Sequence, residues 1–386
     1  MTRTDLMLYV HIPFCVRKCH YCDFLSGAYS EQIRKQYLKA LRREIQVRCA
    51  DVRGLQEREV TSIFIGGGTP SVLLPEEMAA IMETIKNSME ISENAEISME
   101  CNPGTTDLAK LKGYRELGIN RLSIGLQSVD NAELRLLGRI HTWEEFLQTY
   151  RNAYEAGFEN VSLDLMSALP GQTVEAWECT LNTVLALNPL PKHISAYSLI
   201  LEEGTKFYEW ERAGRFQGEL ALPTEEADRE MVALTERVLG KYGFRKYEIS
   251  NYAKPGYECR HNTGYWLRRD YLGLGIGAAS LIGDYRYHNT ERLEDYLKDP
   301  LGDREEQRLA PEDKMEETMF LGLRLCNGVS KENFEKTFGI KLQEIYGEVI
   351  SKNMKDGLLI EEGDRLRLTA RGMDVSNYVM AQFLLA

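Results

Sequence analysis

The sequence predicts an α/β fold: a partial, open (β/α)6 barrel of the TIM type, followed by a smaller, mainly helical unit of winged-helix character. Three observations predict it. Short apolar runs ending in Gly, Pro or polar residues recur about every 30–40 residues through the first 200 positions, the spacing of strand–helix–strand units. Amphipathic helical patterns fill the gaps between them. Near the C-terminus the order changes to helix, helix, hairpin, helix.

The strands expected from the apolar runs are Met7–Phe14, Val60–Ile65, Glu96–Glu100, Arg121–Gln127, Val161–Ala168 and His193–Ile200. The helices expected between them are Glu31–Arg48, Pro75–Met89, Thr106–Leu117, Trp143–Ala156 and Val174–Leu187. Pro75 followed by Glu76 and Glu77 reads as a helix start, with proline in the first turn and acids against the dipole. Strict alternation implies parallel strands and right-handed crossovers. Six repeats are too few to close an eight-fold barrel, so the barrel is expected to be open and its chemistry to lie at the carboxyl ends of the strands.

Residues 201–300 read as an extension of the barrel, with a helix over Glu225–Tyr242 and two unusual segments, His261–Trp266 and Gly273–Leu281. Lys298–Lys314 is charged and punctuated by proline, the composition of a linker. In residues 301–386, Met315, Met319, Leu323 and Cys326 mark one apolar helix stripe. Leu358–Ile360 and Leu366–Leu368 flank a Glu361-Glu362-Gly363-Asp364 turn, and Thr369 is placed to cap the last helix. Three segments are therefore expected, 1–200, 201–300 and 301–386.

The 386 residues are 43% hydrophobic and 27% charged, enough for a large core. The net charge of −12 argues against a nucleic-acid partner, which needs a basic field. Residues 311–386 carry ten Lys and Arg against thirteen Asp and Glu, so the C-terminal unit reads as a packing or lid element. No transmembrane segment is expected, because no stretch reaches the ~18 apolar residues a span requires. His11 and Pro13 interrupt the early apolar run and no small-residue cleavage site follows it, so a cytoplasmic location is expected.

Cys15, Cys19 and Cys22 form a C-x3-C-x2-C run on a loop after the first strand. In a reducing compartment such clusters are usually metal-binding or catalytic. Three thiolates on a 4Fe–4S cluster leave one iron open for a reactant, and S-adenosylmethionine (SAM) is the reactant this spacing points to. Gly66-Gly67-Gly68-Thr69-Pro70 follows the second strand and lets backbone approach a ligand closely. Glu100 ends the third strand and Gln127 the fourth. Arg139 follows twelve residues later, suited to a carboxylate in fork geometry. Asp164 sits in the apolar fifth strand, where an acid needs partners such as ribose hydroxyls. Each residue alone has an ordinary reading as a cap, a turn or a salt bridge. Their repetition at successive strand ends raises the functional one.

These residues resemble the radical SAM superfamily, and within it the oxygen-independent coproporphyrinogen III oxidase group. The matching segments are Tyr9-x-His11-Ile12-Pro13-Phe14-Cys15, Gly66–Pro70, Glu100-x-Asn102-Pro103, Gly125-x-Gln127-Ser128 and Asp164-x5-Pro170-Gly171-Gln172. The resemblance implies that Cys15, Cys19 and Cys22 hold the cluster. It further implies that Tyr9, Tyr21, Gly67, Gly68, Thr69, Glu100, Gln127, Arg139, Asp164 and Ser198 line the SAM site. Two departures point to that group's heme-chaperone branch, the HemW family. Phe24 stands where the oxidases carry a fourth cysteine, and only fourteen residues precede Cys15, where the oxidases carry a long extension. In addition, His261-Asn262-Thr263-Gly264-Tyr265-Trp266 is similar to the H-N-x-x-Y-W segment of that branch. Imidazole ligates heme iron, and Tyr265 and Trp266 offer flat faces to a porphyrin. Cys259 is an alternative thiolate ligand; the plain alternatives are hydrogen-bonded turn roles for His261 and Asn262, core roles for Tyr265 and Trp266, and a buried small hydrophobe for Cys259.

The expected function is thus a heme chaperone with a 4Fe–4S cluster and SAM, delivering heme to a membrane-associated hemoprotein. The alternative is radical oxidative decarboxylation of coproporphyrinogen III propionates. A radical enzyme acting on an unrelated substrate is a third reading. No catalytic residue is assigned.

Overall fold

The computed structural model describes residues 5–51, 58–302 and 305–385. The six expected parallel strands form in order: β1 Asp5–Ile12, β2 Glu59–Gly67, β3 Glu90–Cys101, β4 Arg121–Gln127, β5 Asn160–Ser167 and β6 His193–Ser198. Neighbours in sequence are neighbours in the sheet, all pairing in parallel. Their apolar side chains, among them Leu8, Val10, Ile63, Ile65, Leu122, Ile124, Leu163 and Leu165, are buried in the main core. β1 ends before Pro13, which has no N–H to give the ladder. β3 begins six residues earlier than its apolar run, through a polar stretch whose side chains are mostly exposed or half-buried.

Helices Glu31–Asp51, Pro75–Ser88, Leu108–Glu116, Trp143–Glu155 and Val174–Leu185 fill the crossovers. Their starts are chemically marked. Asp107, Thr142 and Thr173 each accept a backbone N–H of the first turn, and Glu145 completes a capping box with Thr142. An additional short helix, Asn131–Leu136, follows β4 and is capped by Asp130.

The sheet is larger than six strands. β7 Arg245–Lys246, β8 Asn251–Ala253, β9 Tyr271–Leu274, β10 Ala279–Ile282, β11 Tyr285–His288 and β12 Glu305–Arg308 join it in the order β12-β11-β10-β9-β1-β2-β3-β4-β5-β6-β8-β7. β9 lies parallel to β1, Met7 opposite Tyr271 and Val10 opposite Leu274. β10, β11 and β12 continue antiparallel, and β8 pairs antiparallel with β6. Part of the stretch read as a linker, Lys298–Lys314, is therefore a sheet strand.

The C-terminal unit has helices Pro311–Gly322, Lys331–Phe338 and Leu342–Lys355, one more than expected before the hairpin. The hairpin strands β14 Leu359–Glu362 and β15 Arg365–Leu368 flank a Gly363-Asp364 turn, and β13 Val329–Ser330 adds a third strand beside β15. Thr369 caps the next helix through Gly372 N–H at 3.0 Å, but Val375 splits the final helical run into Ala370–Asp374 and Ser376–Ala381. This unit has its own core, including Met319, Phe334, Tyr346, Leu366 and Phe383.

Candidate functional site: a cysteine-lined cleft and an adjoining aromatic pocket

The carboxyl ends of β1–β6 share one edge, and the loops that leave them converge there. A cleft there is lined by Cys15, Cys19, Cys22, Tyr21, Gly68, Thr69, Glu100, Gln127, Arg139 and Asp164. The structure thus brings together the three cysteines and most residues expected around SAM. Gly67 and Tyr9 line an adjoining pocket instead, and Ser198, bonded to Asp228 at 2.6 Å, lines a space on the β6 side that shares Tyr21, Cys22, Glu100, Gln127 and Asp164 with the cleft.

All three cysteines are free thiols and half-buried. Thr69 Oγ1 lies 3.5 Å from Cys15 Sγ, and Arg139 Nη1 3.6 Å from Cys19 Sγ. Arg17 lines the same wall and bonds the carbonyl oxygens of Gly138 and Arg139 at 2.9 and 2.8 Å. Burial pushes the Cys22 thiol up to about 11, and a bound cation reverses such a shift by holding the thiolate. Three thiols beside two arginines fit an iron–sulfur cluster, whose sulfurs accept such hydrogen bonds. Arg139 Nε is buried without a partner, so its donors are not exhausted by the protein.

Arg139 organises the centre of the cleft. Its Nη2 donates to Gly125 O at 2.7 Å and to Asn102 Oδ1, while Asn102 Nδ2 donates to Thr69 Oγ1 at 2.8 Å. Gly125 is required here, because a Cβ would come within 2.7 Å of Asn102 Oδ1 and 3.2 Å of Arg139 Nη2. Gly67 has φ +113°, and a Cβ there would strike the His11 ring at 2.6 Å. Its N–H donates to Glu100 Oε2 at 3.1 Å. At the end of β4, Gln127 adopts φ +69°, a left-handed conformation uncommon outside glycine and typical of strained functional positions.

Two carboxylates face this space. Burial first, then the charge of Asp164, push Glu100 from 4.5 up to about 8, partly offset by the Gly67 N–H. Burial also raises Asp164 against the hydrogen bonds of Ser195 and Ser123, the latter at 3.1 Å. A carboxyl with a raised folded pKa contributes most to stability below its unfolded value and loses that contribution as pH rises through the folded one. Glu100→Gln in the ligand-free protein is therefore expected to change Tm little at pH 4.5 and to raise it increasingly toward pH 8. Thermal unfolding across that window checks this, and an equal gain at both ends contradicts it.

The adjoining pocket opens between β1, β9, β10 and the C-terminal helix Pro311–Gly322. Its wall is aromatic: Tyr9, Phe24, Tyr265, Trp266, Tyr271 and Phe320 line it together with His11, Arg268 and Arg286. Phe24 and Glu100 line both spaces, so the cleft and the pocket meet. His261-Asn262-Thr263-Gly264-Tyr265-Trp266 lies in a helix, Arg260–Trp266. His261 and Tyr265, four residues apart, meet on one face: Tyr265 OH lies 2.9 Å from His261 Nε2, and Ser62 Oγ lies 2.9 Å from Nδ1. Both ring nitrogens are thus engaged, and burial lowers the imidazole to about 3. Cys259 is buried beside Glu96, its Sγ 3.5 Å from the carboxylate. Of the four residues expected near heme, Tyr265 and Trp266 therefore line the pocket, while His261 and Cys259 sit behind it.

The geometry has counterparts in known proteins. Residues 9–184 match the radical SAM superfamily and residues 309–375 the HemN C-terminal domain. The chain is 35% identical to the heme chaperone HemW of Lactococcus lactis over 98% of its own length and 97% of the relative's. It is 37% identical to that of Bacillus subtilis, covering 97% and 98%. The chain belongs to the HemW family.

Among solved structures, the radical SAM enzyme coproporphyrinogen III oxidase (HemN) from Escherichia coli superimposes with a TM-score of 0.85 at 26% identity, covering 99% of this chain and 90% of that one. The fold, including its C-terminal unit, is thus the HemN fold carried by a HemW-family sequence. Sequence reasoning passed over several residues that build the two spaces in this HemW-family chain. His11, Asn102 and Phe24 were visible only as parts of motifs or departures from them. Tyr271 and Arg286 carried no local signal, because the register of β9 and β11 brings them in, and Arg268 is brought in by a left-handed turn after helix Arg260–Trp266. Among the described residues no helix is long and apolar enough to cross a membrane.

Proposed function

We propose that this chain is a heme chaperone: it holds heme in the aromatic pocket and passes it to an acceptor hemoprotein, working in the cytoplasm on a membrane-associated recipient. The observation that carries the reading is the contact of two spaces across Phe24 and Glu100, one walled by three thiols and the other by flat rings from the His261–Trp266 helix. The curated relatives named heme chaperone HemW support it over nearly the full chain.

In this reading Cys15, Cys19 and Cys22 hold a 4Fe–4S cluster. That cluster, when bound, supplies an electron to the sulfonium of SAM. The protein's own groups do the positioning. Arg139, pinned by Gly125 and Asn102, presents its guanidinium to the SAM carboxylate. Glu100 and Asp164 take the ammonium and the ribose hydroxyls, and ionise as they do so. Gln127 and Tyr21 close the cleft, and Ser198 supports its far side. Across Phe24, Tyr265 and Trp266 stack on the porphyrin. His261 acts by fixing the Tyr265 hydroxyl, and Cys259 by packing behind the helix. Neither contact changes the charge of His261, which stays neutral through the physiological range.

Titration of the anaerobically reconstituted protein with hemin tests the proposal. A saturable Soret shift is expected, weakened about tenfold or more when Tyr265 and Trp266 are both replaced by alanine, since each aromatic stack contributes on the order of 1 kcal/mol beyond its buried area. No shift in the parent protein rejects the reading. The 0.85 superposition on HemN favours one alternative, oxidative decarboxylation of coproporphyrinogen III. Formation of protoporphyrinogen in an anaerobic incubation with a reductant would establish it.

A further inference from the structure

The cationic end of the aromatic pocket is built differently from the rest of it. Arg268 follows the His261–Trp266 helix with φ +53°, and Arg286 lies on β11. Both reach one carboxylate: Arg268 Nε donates to Glu317 Oε2 and Arg286 Nη1 forms an ion pair with Glu317 Oε1, each at 2.7 Å. Glu317 is 5% exposed and belongs to helix Pro311–Gly322, whose Phe320 and Leu321 line the pocket. Two guanidiniums share one negative charge. Arg268 Nη2 remains buried without a partner, and Tyr271, a neutral group, lies close to Arg286. Asp284 also acts on Arg268 but is tied to Lys314 at 2.7 Å, so the end of the pocket keeps a net positive charge that a second carboxylate would neutralise.

We propose that Arg268 and Arg286 form a carboxylate subsite that receives a propionate arm of a tetrapyrrole, in competition with Glu317. The inference rests on the heme-binding reading above and adds the residues that orient the cargo. A flat apolar body against Tyr265 and Trp266 with an acidic arm at Arg268 and Arg286 matches both chemistries of the pocket. Because Glu317 comes from the C-terminal unit, the arm and that unit contend for the same two cations. Binding of cargo thereby loosens one of the contacts that hold helix Pro311–Gly322 over the pocket. Just past the end of that helix, Arg324 stays stacked 4.3 Å from the Trp266 ring.

The test compares hemin with hemin dimethyl ester, whose propionates carry no charge, by anaerobic Soret titration of the full-length protein. Hemin is expected to bind about tenfold or more tighter than the diester, the effect of one charge-assisted pair. In Arg286→Met the hemin affinity is expected to fall to that of the diester. In Glu317→Gln it is expected to rise, because the competing carboxylate is gone. Equal affinity of the parent for hemin and diester overturns the subsite while leaving heme binding intact. So does an Arg286→Met loss that is the same for both ligands. Failure of the parent to bind either ligand overturns the subsite together with the reading beneath it.

Discussion

Alanine at Cys15, Cys19 or Cys22 is expected to remove bound iron and sulfide after anaerobic reconstitution, with near-complete loss of the cluster's visible absorption. The three thiols are the only expected covalent attachments, and losing one leaves two irons without protein ligands. The folded chain is expected to survive. All three lie on a loop at half-buried positions, and the loop's backbone is tied independently, with Cys15 N–H donating to Gly27 O and Gly27 N–H to Pro13 O, both at 2.9 Å. Iron and sulfide analysis, with far-UV circular dichroism as the folding control, checks both halves. Full iron content in any single variant would break the assignment of the cysteine loop.

Replacing Arg139 by methionine is expected to lower stability by about 3 kcal/mol and to abolish measurable SAM binding. Arg139 is 8% exposed and serves Gly125 O, Asn102 Oδ1 and Cys19 Sγ at once. Removing one member of a buried charged set leaves its acceptors unpaired, which costs roughly 1–3 kcal/mol per group. Arg139→Lys recovers only part of the loss, because one ammonium cannot span acceptors arranged around a planar fork. Urea unfolding and equilibrium dialysis with SAM measure the two effects. Stability within about 0.5 kcal/mol of the parent would show that the cleft does not depend on this side chain.

Much of this was legible in the chain itself. β4 forms over the same residues its apolar run marks, Arg121–Gln127, because both of its faces are buried and its ends are polar. The helix caps at Asp107, Thr142 and Thr173 are local chemistry, and local chemistry reads directly from sequence. What escaped has equally physical causes. β9 to β12 are only four residues each, too short for a periodic pattern to mark them, and β9 is fixed by its pairing with β1 at the far end of the chain. Asn131–Leu136 is too short to show periodicity. The left-handed turn at Gln127 leaves no compositional trace, since glutamine rarely adopts it. The pairing of His261 with Tyr265 follows from their i, i+4 spacing once the segment is known to be a helix. Ser62 and the burial of both residues belong to tertiary structure alone.

The parallel seating of β9 beside β1 bears on how separable the two halves of this protein are. The strand that carries the cysteine loop is clamped between β2 and a strand more than 250 residues downstream, in place of a free border. Shortening the polypeptide to its first half would strip Met7–Val10 of one ladder and offer that bare margin to any passing strand. The cysteine loop and the aromatic pocket are thus not beads on a string. They are woven through a shared seam, and neither could be traded by recombination without unpicking the other.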